Sequence, residues 1–169
     1  MPYRMLSSLA IRLNGQIYLF DAGEGTQINW KKVRLGVRGL KLIAVTHLHA
    51  DHCLGIPGMV MLRAQMEDPA PLTILGPPGT GEFVAQFRRL LEFKVNFTIN
   101  VIEWSSNSTG VAYRDDQAEI LWEPLKHTRF AWDTGSRRRT GLANSIRRGR
   151  RPWECRGDRS GESSKKAKA

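Results

Sequence analysis

Leu9 to Leu13 and Gln16 to Phe20 are apolar-rich runs of strand length joined by Asn14-Gly15, a pair suited to the positive φ angles of a two-residue hairpin turn. The second run stops at Asp21. GEGTQINWKKVRLG then reads as a tight glycine turn opening a helix, with Gly36 as its stop. Leu40 to Val45 reads as a third, apolar strand of the interior. Gly55 to Met66 follows as a helix that packs Ile56, Met59, Val60 and Leu62, with Pro57 in the first turn, where its missing N–H costs nothing. Leu72 to Leu75 is a strand and Gly76-Pro77-Pro78-Gly79 a turn; lacking the lysine and hydroxyl residue of a nucleotide-binding loop, it makes no phosphate cradle. Helical spacing returns between Glu82 and Leu91 through Phe83, Val84, Phe87, Leu90 and Leu91. Phe97 to Trp104 and Ala118 to Leu125 read as strands flanking the polar loop SSNSTG. Strands that alternate with helices in this way predict an α/β layered sandwich.

Beyond Ala131 the pattern dissolves into scattered apolar residues among Arg, Gly and Ser, too few to offset the entropy of ordering the segment. The expectation is one domain over residues 1–132 and a basic, disordered or loosely attached tail over 133–169. Charge agrees with this division. The net charge of +10 splits into a surplus of two over residues 1–132 and of eight over 133–169. Two readings of the tail stay open: an RNA-binding arm whose cations neutralise phosphates, or a solvated end such as a truncated or shifted reading frame leaves. A length of 169 residues suffices for one domain with a real core. There is no run of 18 apolar residues, and the first 16 residues lack the apolar centre of a signal peptide, so the chain reads as cytoplasmic and off the membrane. Cys53 and Cys155 are too few and too scattered for a disulfide framework.

The chemistry concentrates in Thr46 to Met59, THLHADHCLGIPGM, which holds three of the four histidines. In an extended segment His47 and His49 point to one side and can share a divalent ion. Asp51 and His52 follow as the chain turns into a helix, where they can face a second ion. Metal pairs about 3.5–4 Å apart polarise phosphoryl groups and activate water. Imidazole with carboxylate suits zinc, with manganese or iron as alternatives. A single buried histidine is more often a satisfied core residue, but three this close would repel one another on protonation, so a metal is the better account. Cys53 stays open as a ligand or a small buried hydrophobe. Asp21, at a strand end before a glycine turn, occupies a place where α/β proteins put functional groups, and equally one where an aspartate simply forms a turn. His127 follows the last strand, at a sheet edge from which a metal could draw a ligand.

THLHADH resembles the H-x-H-x-D-H signature of the metallo-β-lactamase fold. Its flanks resemble ribonuclease Z, the endonuclease family that trims the 3′ end of precursor tRNA, through PYRMLSS at positions 2–8, LFDAGEGTQ at 19–27, LGIPGM at 54–59, ILGPPG at 74–79 and PLKHTRF at 124–130. The resemblance covers about residues 2–132. It implies an αββα sandwich, incomplete in this chain, and zinc-dependent cleavage of a phosphodiester in precursor tRNA. It further implies His47, His49 and His127 on a first zinc ion, Asp51 and His52 on a second, Asp51 as the catalytic carboxylate, and Asp21 as a buried support of the metal loop. The family continues past this histidine with more sheet, an arm that grips tRNA, an aspartate bridging both metals and a final histidine. No histidine follows His127 here, and Asp133, in the string DTG, only superficially resembles the bridging aspartate. One ion held well and a second held poorly is therefore expected, with weak activity unless a partner chain adds ligands; a monomer and a homodimer stay equally open. Two further readings stand beside the tRNA nuclease: another hydrolase of the same fold acting on small phosphodiesters or esters, and a non-catalytic RNA-binding remnant.

Overall fold

A computed structural model describes residues 5–92, 94–104, 109–125 and 131–138. The hairpin of β1 (Leu9–Leu13) and β2 (Gln16–Phe20) comes first. Its turn has Asn14 and Gly15 at φ 43° and 86°, so Leu13 faces Gln16 directly. Helix α1 (Thr26–Lys32) and a short 3-10 turn, Val37–Gly39, lead to β3 (Leu40–Ala44). A short helix α2 (Ala50–Cys53) and α3 (Ile56–Ala64) lead to β4 (Leu72–Gly76), and α4 (Thr80–Leu91) leads to β5 (Ile99–Glu103). These five strands form one sheet in chain order, antiparallel between β1 and β2 and parallel from β2 to β5. A second, antiparallel sheet contains β6 (Gly110–Arg114), β7 (Ala118–Leu125) and β8 (Ala131–Arg138).

The alternation along β2 shows how the layers stack. Ile17 and Leu19 join an apolar cluster with Ile43 and Ile74 of the sheet, Trp30 of α1, Met59 and Val60 of α3, and Val84 and Phe87 of α4. Tyr18 and Phe20, on the other face, join Leu42, Ala44 and Leu75 against Ala118, Ile120 and Trp122 of the second sheet. A strand buried on both faces has no solvent side to distinguish, which is why β2, β3 and β4 read as apolar runs. The outcome is an α/β layered arrangement in which the five-stranded sheet is sandwiched between helices and the second sheet.

Asp115, in the β6–β7 turn, ties the two sheets together at one end. It accepts the Tyr18 hydroxyl at 2.7 Å and pairs with the Lys41 ammonium at 2.9 Å, while the Gln117 and Ala118 N–H groups donate to its other oxygen at 2.8 and 2.7 Å. Burial favours the neutral acid. The bonds from Ala118, Lys41, Tyr18 and Gln117 outweigh it and hold the carboxyl at about 2.

The structure departs from the sequence expectation in three places. Helix α1 stops before Gly36, because Arg34 takes a left-handed φ of 54° and the Arg34 and Leu35 N–H groups close onto the Lys31 and Trp30 carbonyls, both at 3.1 Å. This is the bond pattern of a glycine-terminated helix made without glycine. Strand β6 lies in a stretch given no element by its pattern. The boundary placed at residue 132 falls inside β8, whose residues pair one for one with β7 from Ala131 opposite Leu125 to Arg138 opposite Ala118. Residues 133–138 are thus sheet rather than loose tail, since β7 offers a ladder that their own composition does not advertise. The remainder of that tail, 139–169, lies outside the described residues.

Candidate metal centre

The site sits where β2 and β3 end. Asp21 follows β2 with φ at 56°, a left-handed conformation that aspartate tolerates better than most residues. Its N–H donates to the Ala44 carbonyl at 2.8 Å, so the turn stays in register with the end of β3 while the carboxylate swings across to the chain leaving that strand. There one oxygen accepts the Thr46 N–H at 2.8 Å. The Thr46 hydroxyl stands 3.0 Å from both carboxylate oxygens, and the second oxygen stands 2.8 Å from Nδ1 of His52.

Those contacts assign the His52 proton. A carboxylate only accepts, so His52 carries its proton on Nδ1 and gives it to Asp21. Neutral His52 then carries Nε2 unprotonated, the form that binds a metal. The Thr46 hydroxyl, 3.0 Å from both Asp21 oxygens and 3.0 Å from Nδ1 of His47, bridges the carboxylate to that second ring. Asp21 acts on one ring directly and on the other through Thr46.

The three histidines of the loop come together. The His47 ring centre lies 4.5 Å from that of His49 and 4.1 Å from that of His52, and His47 is buried while His49 and His52 are half-buried. Asp51 is exposed beside them, its carboxylate 3.5 Å from Nε2 of His52. With the His52 proton on the far nitrogen, that gap sets two acceptors against each other. A cation between them, either a second proton or a metal, relieves the repulsion. Imidazole and carboxylate donors of this kind suit a divalent cation, but among the described residues no group of three or more His, Cys, Asp or Glu could hold a metal ion. His127 lies outside the described residues. Asp133 is in β8 opposite Glu123. Cys53 belongs to the apolar cluster beneath the loop, and burial, with the negative charges of Asp21 and Asp51 behind it, pushes its thiol up, away from the thiolate that metals bind.

Two glycines fix the loop's depth. The Ala22 N–H donates to the His52 carbonyl at 2.8 Å and the Gly55 N–H to the Ala22 carbonyl at 2.7 Å, pressing α2 and the start of α3 against the turn after β2. A Cβ on Gly55 would run into the Gly23 carbonyl, and one on Gly23 into the Asp51 carbonyl. Thr46 was the member of the site given no role by its sequence. Its place directly before the first histidine, at the end of an apolar strand, was the only signal.

Residues 17–148 match the family model described as the Beta-lactamase superfamily domain. The chain is 39% identical over 129 residues to a Ribonuclease Z of Treponema pallidum (strain Nichols), covering 76% of this chain and 41% of that protein. With a Ribonuclease Z of Borrelia duttonii (strain Ly) it shares 40% identity over 128 residues, 74% of this chain and 40% of the other. It therefore spans about two fifths of the length of these curated relatives. Among solved structures, the short form of human tRNase Z superposes with a TM-score of 0.75 at 26% identity, over 82% of this chain and 60% of that one. A diphosphatase of the PhnP family superposes with a TM-score of 0.60 over 80% of this chain and 49% of that one; at 16% identity it shares the fold alone. Strand order, histidine loop and family match agree, and the chain belongs to the beta-lactamase superfamily domain family as a partial, ribonuclease Z-like member.

Proposed function

We propose that this chain is a zinc-dependent phosphodiesterase of the ribonuclease Z kind, directed at the 3′ trailer of precursor tRNA in the cytoplasm. The observation that carries the reading is the setting of His52, with Nδ1 2.8 Å from Asp21 on one side and Nε2 3.5 Å from Asp51 on the other. Such a ring is oriented for a cation. The 37–40% identity to proteins named Ribonuclease Z supports the choice of substrate.

His47, His49 and His127 hold the first ion in this reading, and Asp51 with His52 hold the second. Zinc bound there supplies Lewis-acid activation of water and of the phosphoryl group at neutral pH. The chain's own residues do the rest. Asp21 keeps Nδ1 of His52 protonated and, through Thr46, orients the His47 ring. Asp51, whose side chain is 55% exposed, faces the solvent from which water and substrate enter. Its carboxylate orients the attacking water and accepts its proton, while the 3′ oxygen of the tRNA departs and takes a proton from solvent to become the 3′ hydroxyl. Two protein ligands rarely retain zinc, so with the residues named here the first ion would be held well and the second weakly, and turnover would be slow unless a partner chain adds ligands.

Metal analysis after dialysis, together with cleavage of precursor tRNA with and without chelator, tests the proposal. About one zinc per chain and slow, chelator-sensitive cleavage just past the discriminator base are expected. Two tightly held ions, or cleavage indifferent to chelator and to His49→Ala, would overturn it. Hydrolysis of a small chromogenic phosphodiester with tRNA left intact would favour a different hydrolase of the same fold.

A further inference from the structure

At the opposite end of β2 and β3 lies a buried charge that no carboxylate among the described residues neutralises. Arg63, on the inner side of α3, is 1% exposed. Its Nη1 donates to the Val37 carbonyl at 2.9 Å and its Nη2 to the Ala70 carbonyl at 2.7 Å, and the guanidinium carbon stands 5.4 Å from the centre of the Phe97 ring. Nε has no hydrogen-bond partner among the described residues, and no carboxylate there pairs with the group. Carbonyl dipoles and an aromatic face satisfy N–H groups but leave a full positive charge in a poorly solvated place.

Arg63 is among the residues lining a cavity of about 380 Å³. The other charged residues lining it are Arg38 and Lys41, so every ionic group that the described residues place in its wall is positive. Lys41 leans away toward Asp115 at 2.9 Å and Asp116 at 3.4 Å, neither of which lines the cavity. Arg38 is exposed at the mouth and has no acidic partner among the described residues. Gln16 and Thr73 add neutral donors, and Tyr113 adds a flat ring. The volume falls within the range of small-molecule pockets, far above the roughly 30 Å³ that one water occupies. Gln16 and Asp21 are five residues apart along β2, about 16 Å at 3.3 Å per residue, which separates this cavity from the histidines.

We propose that this cavity binds a small phosphomonoester of about nucleoside monophosphate size. Arg38 meets the phosphate, the buried Arg63 adds positive charge behind it, and the Tyr113 side takes the organic part. Bound anion also offsets the cost of burying Arg63, which couples occupancy of the cavity to the stability of α3.

Calorimetric titration of the full chain with adenosine 5′-monophosphate, and separately with inorganic phosphate, tests this in the wild type, Arg38→Glu and His49→Ala. Saturable binding of the nucleotide is expected in the wild type and in His49→Ala, weakened about tenfold or more in Arg38→Glu, as loss of a charge-assisted contact implies. Inorganic phosphate is expected to bind more weakly. Equal affinity in Arg38→Glu, loss of binding in His49→Ala, phosphate binding as tightly as the nucleotide, or no saturation at concentrations on the order of millimolar would each overturn the proposal. Because Arg38 is exposed, Arg38→Glu should melt like the wild type, which separates loss of binding from loss of fold.

Discussion

Asp21→Asn changes almost no volume and replaces one acceptor by a donor. In the native site the carboxylate receives three protons, from the Thr46 N–H, the Thr46 hydroxyl and Nδ1 of His52. Asparagine keeps a carbonyl oxygen for Thr46 but turns its NH₂ toward His52. That donor can be satisfied only if His52 moves its proton to Nε2, the nitrogen that faces Asp51. Reversing a ligand's tautomer from outside the coordination shell costs about 10- to 100-fold in metal affinity, or roughly 1.4–2.8 kcal/mol. The lost charge-assisted bond takes about 1.5–3 kcal/mol from stability as well. The assay is zinc titration past the first equivalent, where the ion assigned to Asp51 and His52 is read against a weak chromophoric chelator, on folded protein verified by circular dichroism, in Asp21→Asn, His52→Ala and the double variant. If Asp21 works through His52, the two losses do not add, and Asp21→Asn costs only a few-fold once His52 is gone. Native zinc affinity in folded Asp21→Asn, or fully additive losses, would refute the tautomer argument.

A methyl group at Gly55 meets the backbone carbonyls of Ala22 and Gly23, which cannot swing aside as a side chain would. Gly55→Ala should therefore destabilise by about 1–3 kcal/mol, lowering the melting temperature by roughly 2–4 °C per kcal/mol, whereas Gly15→Ala, with open space around it, should cost only the strain of its positive φ. Equal melting of the two variants would count against close approach as the constraint. For Asp115 the folded carboxyl titrates at about 2, below its ordinary 3.8. The stability it contributes, on the order of 2 kcal/mol, is complete above about pH 4 and is lost as the pH falls from 4 to 2. Denaturant unfolding at pH 7 and pH 3 should accordingly show a smaller acid loss for Asp115→Asn than for the wild type, and an identical loss in both would remove the carboxylate from the account.

What could be read from the sequence was what a short window of residues decides. Asn14-Gly15 set the hairpin because the positive φ angles belong to those two residues. The apolar runs of β2, β3 and β4 announced strands covered on both faces, and the clustering of His47, His49 and His52 follows from their spacing. The features that sequence patterning missed are made by partners distant in the chain. Arg34 stands where glycine was expected because the Trp30 and Lys31 carbonyls supply the closing bonds. Strand β8, with glycine and arginine among its residues, exists through pairing with β7. Thr46 gained a task only when Asp21 arrived from the neighbouring strand.

That arrival has a kinetic consequence. Thr46 and His52 stand 25 and 31 residues from Asp21, and the two strands that deliver them are parallel, so no local turn can bring them together. The β1–β2 hairpin can form in microseconds by itself, whereas the β2–β3 pairing must wait for the intervening helix to pack. The imidazoles thus acquire their orientation late, with the sheet. A synthetic peptide copying residues 46–59 would carry the same ligand types and none of their alignment.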